Sequence, residues 1–355
     1  MPSNQTYNVA RGLVRAKSSA GGVSRLIFQN QTSNYIYNRF IPGSGVGGLN
    51  RSVRRYQYRH ATSCENASGG QRISLQNITF SGVGSFETIY VNSLNQVVAS
   101  PVLNGFTIYR VISTSPGASY VINNNNSAST PISFLIIGGG GSGAGFGGQA
   151  VQPGAGGAGG FIESSGTTNT ANTYSIYVGR GGFLLNSTAS GENSLLQLNS
   201  GTLNAIGGGG GANLSTGLNG LNGGSGGGGA FNFDNNNFGT GGNGTPGQGF
   251  SGAPGNIGGG SAGSGGGAGG SPDTNSRNGG PGLSSTITGQ SIFYAGGGGG
   301  GGRTGGIGGG GNGGIGGPGG QGTPGTNGLG GGGGSGGTGA SGGDGIVILR
   351  IPSFI

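Results

Sequence analysis

Apolar residues in this chain fall in short runs, with none of the three-to-four spacing that marks an amphipathic helix. From Arg72 onward the runs have strand length. Ile73 to Phe80 and Phe86 to Val91 are bounded by Gly and Asn turns, and further stretches lie at 106–112, 118–122, 132–137, 174–178, 291–295 and 346–351. Together they predict a compact antiparallel β-framework with little or no α-helix. Residues 1–64 differ, holding only small apolar clusters such as Leu26-Ile27-Phe28 and Tyr35-Ile36-Tyr37, too few to bury a core alone. The run Arg51 to His60 reads either as a short basic helix or as an extended arm, ordered by a partner.

Between the apolar runs lie glycine tracts with a period of three. Glycine recurs at every third position from Gly310 to Gly337, and again from Gly217 to Gly229. That period matches a left-handed extended helix of three residues per turn, which has no internal hydrogen bonds. Such helices must satisfy their backbone groups laterally, so the expectation is a bundle of polyglycine II helices. Collagen needs the same period, but its chains carry about 15–20% proline or hydroxyproline. Here there are 13 prolines in 355 residues and the triplets are broken repeatedly. Within the tract a side chain at Gly319 or Gly322 is expected to push neighbouring segments apart. Pro318, Pro324, Asn327 and Leu329 read as positions that tolerate side chains.

Glycine supplies 99 residues, where an ordinary chain has about 7%. Disordered chains usually combine few aromatics with high net charge. This one has 15 Phe and 11 Tyr, and only 6% of its residues are charged, so order is expected. The net charge of +8 is unevenly placed: nine basic and no acidic residues precede Ala61, giving +9 there and −1 in the rest. A basic segment of this kind points to an acidic partner. The lone Cys64 excludes an intramolecular disulfide framework. No stretch approaches the roughly 20 apolar residues of a membrane-spanning helix, so membrane insertion is not expected.

The order of segments resembles a glycine-rich domain family common in phage tail-fibre and large-DNA-virus proteins, with relatives in the ectodomains of the anaplastic lymphoma kinase and leukocyte tyrosine kinase receptors. The resemblance is carried by 105–110 (GFTIYR), 132–141 (ISFLIIGGGG), 156–163 (GGAGGFIE), 174–179 (YSIYVG), 292–296 (IFYAG) and 343–350 (GDGIVILR). It covers about 105–351 and implies a β-sandwich or jelly-roll-like frame with inserted polyglycine II helices and no catalytic residues. The receptor ectodomains look stapled by cysteines, and this chain is not. Residues 40–55 (FIPGSGVGGLNRSVRR) separately resemble the N-terminal region of proteins from large algal or amoebal DNA viruses.

Catalysis would need a nucleophile with a base, paired carboxylates or metal ligands. His60 is the one histidine, and Cys64 lies only four residues on, a proximity in sequence that says nothing of proximity in space. The carboxylates Glu65, Glu87, Glu163, Glu192, Asp234, Asp273 and Asp344 are scattered, and Glu163 and Asp344 read as strand-end hydrogen-bond acceptors. G-x-G-x-x-G matches arise automatically in glycine tracts and lack the following helix of a dinucleotide site. No enzyme activity, metal or cofactor is expected.

The residues left to carry function fall in two groups. Arg39, Arg51, Arg54, Arg55, Tyr56, Tyr58 and Arg59 suit anchoring in a protein assembly; nucleic-acid contact and a solvated face are the alternatives. The polar insertions 231–238 and 271–278 project Phe231, Phe233, Asp234, Asn236, Phe238, Asp273 and Arg277 as tips that read a receptor, or serve only as turns. The chain divides on this reading into a basic arm (1–64), a β-rich connector (65–104) and a glycine-rich domain (105–352). The expected role is a structural component of a virus particle, anchored to other virion proteins through 1–64. The alternatives are an adhesin for a cell-surface glycan and an extracellular fibril or matrix protein.

Overall fold

The computed structural model describes residues 13–17, 24–30, 35–41, 63–65, 72–123, 129–146, 150–183, 189–214, 217–255, 261–273, 278–315 and 320–354. The chain divides between residues 75 and 76 into two compact units. In the first, β1 (Leu13–Lys17), β2 (Ser24–Asn30) and β3 (Tyr35–Ile41) form an antiparallel meander with Arg15 opposite Leu26 and Leu26 opposite Arg39. A separate pair joins β4 (Ser63–Glu65) to β5 (Arg72–Ser74). The two apolar clusters read in this region lie in β2 and β3.

The second unit is built on one antiparallel sheet of nine strands. Its long members are β6 (Asn77–Val91) and β8 (Phe106–Asn123), which pair along their whole length with irregular register between Ser81 and Phe86. β7 (Val97–Val98) adds to β6. Beyond β8 the order runs through β19 (Ile346–Pro352) and β9 (Thr130–Ile137) to β11 (Phe161–Thr168). On the other side it passes through β12 (Thr173–Tyr177) and β13 (Ser194–Leu198) to β14 (Gly201–Ala205). Because β8 is long enough to pair with β19 at one end and β12 at the other, the sheet curls, and β13 and β14 return over β9. The result is a barrel-like sheet that is nearly closed.

Both faces of the central strands are buried, which explains their near-continuous apolar sequences. Inside the curl Tyr109, Val111, Tyr120, Ile132, Phe134, Ile136, Val347 and Leu349 pack together. The alternate residues Ile108, Leu135, Ile137, Ile346 and Ile348 face outward and meet Ala158, Ala268, Tyr294 and Ala295. These last four belong to the glycine-rich segments and to β18 (Ile292–Tyr294), which pairs with β17 (Leu283–Ser285).

The glycine tracts depart from expectation. No described residue is in a helix of any kind, so the predicted bundle of polyglycine II helices is not present, and the frame is one curled sheet, not a sandwich or jelly roll. The period of three has a different expression, in the identity of the hydrogen-bond partner. Gly154, Gly157 and Gly160 donate their N–H groups to Ala212, Gly209 and Ile206; Ala155 and Ala158 donate to Gly263 and Gly266; Gly156 and Gly159 donate to Gly333 and Gly330. Successive residues thus serve three neighbouring segments in rotation. Every donor in this stretch is satisfied without any helical ladder, as buried backbone requires.

Such mutual bonding brings backbones too close for side chains. A Cβ on Gly159 would lie 1.9 Å from the carbonyl oxygen of Gly138, and one on Gly322 would lie 2.3 Å from that of Gly334. Gly319 and Pro318 lie outside the described residues. Asn327 and Leu329 do more than tolerate side chains: the amide oxygen of Asn327 accepts the N–H of Asp344 at 3.0 Å, and Leu329 packs on the outer apolar cluster.

Candidate functional site

The predicted tip residues of 231–238 come together in one small hairpin. β15 (Phe231–Asn232) pairs with β16 (Asn237–Phe238) on one side and β10 (Val151–Gln152) on the other. Side-chain caps shape the turn: Asn232 Oδ1 accepts the N–H of Asp234 at 2.9 Å, and Asn235 Oδ1 accepts that of Asn237 at 3.2 Å. Asn236 sits at φ 51°, a left-handed conformation that asparagine adopts more readily than most residues.

The chemistry of this hairpin is aromatic and amide. Phe231 is buried and holds Phe233 edge-to-face, with ring centroids 4.9 Å apart. Phe238 stands opposite Phe231 in the strand register. Phe233 is 49% exposed and Phe238 43% exposed, so two rings face solvent and the anchored Phe231 supports the first of them. Asp234 completes the surface with an exposed side chain. Asp273, on a separate loop, is exposed as well, and Arg277 lies outside the described residues. Of the anchor residues, Arg39 lies in β3. Arg51, Arg54, Arg55, Tyr56, Tyr58 and Arg59 lie outside the described residues.

Among the described residues, Glu87, Glu163, Glu192 and Asp344 are engaged in holding the fold. Glu87 forms an ion pair with Arg110 across β6 and β8. Glu163 accepts the hydroxyl of Ser285 at 2.8 Å. Glu192 accepts the phenol of Tyr177 at 2.7 Å and the N–H of Arg180 at 3.2 Å, and that phenol is pushed above its ordinary range chiefly by the bond to Glu192. Asp344 accepts the N–H of Gly181 at 2.8 Å. Arg350 is structural too: its guanidinium reaches the carbonyl of Ile287 and the side chain of Asn95 and lies 4.0 Å above the Phe106 ring, and burial lowers its pKa. Among the described residues no group of three or more His, Cys, Asp or Glu could hold a metal ion. Nor is any helix there long and apolar enough to cross a membrane, which leaves strands out of account.

Asp344 also holds the backbone from its own main chain, accepting the N–H groups of Gly328 and Gly330 at 2.9 and 3.0 Å. Asp344→Ala keeps those main-chain bonds but leaves Gly181 N–H without its side-chain acceptor, so it should destabilise the second unit by about 1–3 kcal/mol, the usual cost of stranding a part-buried donor. Asp344→Asn keeps an acceptor and should cost less. Equal denaturant midpoints for Asp344→Ala and the unaltered protein would refute this role.

The residues missed from sequence are amide side chains inside the tracts. Asn219 Oδ1 accepts the N–H of Thr240 at 2.9 Å while Gly220 N–H donates to the Thr240 carbonyl at 2.9 Å. Asn222 and Gly223 hold Asn243 in the same way, at 2.7 and 3.1 Å. Asn278 and Gly279 hold Thr304 at 3.3 and 2.9 Å, and Asn327 and Gly328 hold Asp344 at 3.0 and 2.9 Å. Each of these four Asn-Gly dipeptides thus clamps both backbone groups of one residue on another segment. The signal in the sequence was the recurrence of Asn-Gly itself, which ordinarily reads only as a turn.

The second unit is thus a β-domain cored by hydrogen-bonded glycine backbone, with short polar and aromatic turns at its surface. The chain belongs to the glycine-rich domain family, whose model matches residues 114–352. No curated protein matches it.

Proposed function

We propose that the protein is a non-enzymatic structural component of a virus particle, anchored through residues 1–64 to other virion proteins and displaying the glycine-rich domain. The observation that carries this reading is the glycine core, whose backbone groups are committed to one another across distant segments. Its construction favours shape and rigidity over side-chain chemistry. The +9 charge of the first sixty residues supports anchoring on an acidic surface, and the resemblance to large-DNA-virus and phage tail-fibre proteins supplies the particle. Density-gradient fractionation in the system that encodes the chain should place it with assembled particles at a fixed ratio to the capsid protein. Recovery only in the soluble fraction would overturn the proposal.

A second reading, an adhesin for a cell-surface glycan, is favoured by the half-exposed Phe233 and Phe238 beside Asp234 and Asn236. Exposed rings next to carboxylate and amide groups suit the apolar face and hydroxyls of a sugar. On a glycan array the full chain should bind a discrete set of saccharides, and Phe233→Ala with Phe238→Ala should abolish that binding while leaving the thermal melt unchanged. An array without binding would remove this reading and leave the structural one standing.

A further inference from the structure

The clamps bear on a covalent reaction intrinsic to Asn-Gly sequences. In an unrestrained chain the glycine amide nitrogen, on losing its proton, attacks the asparagine Cγ, and the side-chain nitrogen leaves as ammonia. The resulting succinimide is opened by water to aspartate or isoaspartate, adding one negative charge. Glycine permits the reaction because it has no side chain to hinder the approach. The glycine nitrogen and the asparagine side chain must approach each other for it to occur, so hydrogen bonds that tie both to another segment hinder it.

The chain has seven Asn-Gly dipeptides, beginning at Asn104, Asn219, Asn222, Asn243, Asn278, Asn312 and Asn327. In the four clamps both reacting groups are tied to another segment. Asn312 is tied as well, its Oδ1 accepting from Gly305 at 2.9 Å while Gly313 N–H donates to Arg303 at 2.8 Å. The remaining two differ. The side chains of Asn104 and Asn243 are exposed and make no hydrogen bond among the described residues. Asn104 stands at φ 59° in the turn before β8, with Gly105 N–H bonded only to Val102 within the same turn. Gly244 N–H makes a single long contact, 3.4 Å to Ser251 Oγ.

We infer that Asn104 and Asn243 are sites of spontaneous deamidation in the folded protein, and that the four clamps and the bonds at Asn312 and Gly313 protect the other five. Reaction at a clamped site requires the glycine segment to open first, so its rate carries the cost of local unfolding. Reaction at Asn104 requires only that one surface turn breathe.

The test is to incubate the purified full-length protein in mildly alkaline buffer and to follow each dipeptide by peptide mapping and mass spectrometry. A parallel incubation in denaturant gives the unrestrained rates. In the folded protein Asn104 and Asn243 should convert about tenfold or more faster than Asn219, Asn222, Asn278, Asn312 and Asn327, the least effect expected of even modest local stability. In denaturant the seven should converge. Conversion of the five protected sites as fast in the folded protein as in denaturant would overturn the inference, as would failure of Asn104 and Asn243 to outpace them.

Discussion

Gly159→Ala should prevent the second unit from folding stably, whereas Gly270→Ala should leave it unchanged or slightly more stable. The contrast follows from what each new methyl group would meet. At Gly159 it would lie 1.9 Å from the carbonyl oxygen of Gly138 and 2.4 Å from the carbon, both backbone atoms. Neither can swing aside as a side chain would, because Gly138 N–H is itself bonded to Gly160 and Gly159 N–H to Gly330. Three segments would have to separate. Ordinary overpacking costs about 1–3 kcal/mol, and this substitution should reach or exceed the top of that range. At Gly270 the nearest atoms are ring carbons of Pro281 at 3.4 and 3.5 Å, an ordinary contact. There alanine also reduces the freedom of the unfolded chain, worth about 0.4–1 kcal/mol. Denaturant midpoints of the two variants decide the matter, and similar midpoints would show that the glycine segments are not close-packed.

Alkaline pH should unfold the protein earlier than its few charges suggest. Burial raises the Tyr109 phenol from 10.0 to about 12, and burial raises Tyr120 as well. Tyr109 accepts the N–H of Ile78, while Tyr120 donates to the carbonyl of Gln197 at 2.6 Å. A raised pKa on an acid means that the fold favours the neutral phenol. The stabilisation is complete below the unfolded value near 10 and declines above it, since the unfolded state then sheds its protons first. For each such group the loss is roughly 1.4 kcal/mol per pH unit, so Tyr109 alone accounts for about 2–3 kcal/mol between pH 10 and pH 12. Denaturant titrations across that interval should show stability falling with pH, and Tyr109→Phe should make the fall shallower. A flat profile would contradict the burial of these phenols.

The strands of the sheet were legible wherever both faces or one face carried a clear apolar pattern. The runs at 132–137, 174–178 and 346–351 correspond to β9, β12 and β19 with ends that agree to two residues or better. The hairpin β13–β14 was missed because its alternation of Leu196 and Leu198 with Gln197 is short and adjoins a glycine tract. The tracts were read by period, and period alone does not say what carries it. Here it tracks which of three neighbours accepts each N–H, a relation between segments far apart in sequence that no local pattern can specify. The tip hairpin was legible as a projecting turn because asparagines and aromatics stand out among glycines. The roles of Asn219, Asn222, Asn278 and Asn327 were hidden, since their partners are main-chain atoms of Thr240, Asn243, Thr304 and Asp344, which any residue could supply.

The position of β19 bears on how the chain reaches this structure. It is the last strand in sequence, yet it lies between β8 and β9, so those two strands never touch as sheet neighbours and must leave a gap for it. Gly156 likewise waits for Gly333, and Gly140 for Gly343. During synthesis, therefore, the apolar edges of β8 and β9 stay open until more than two hundred further residues have been added after β9. Rates fall as contacts become less local, and unpaired edges exposed meanwhile invite misassembly. The glycine tracts made in that interval carry few apolar side chains, so they add little to the apolar surface exposed while the gap waits to be filled.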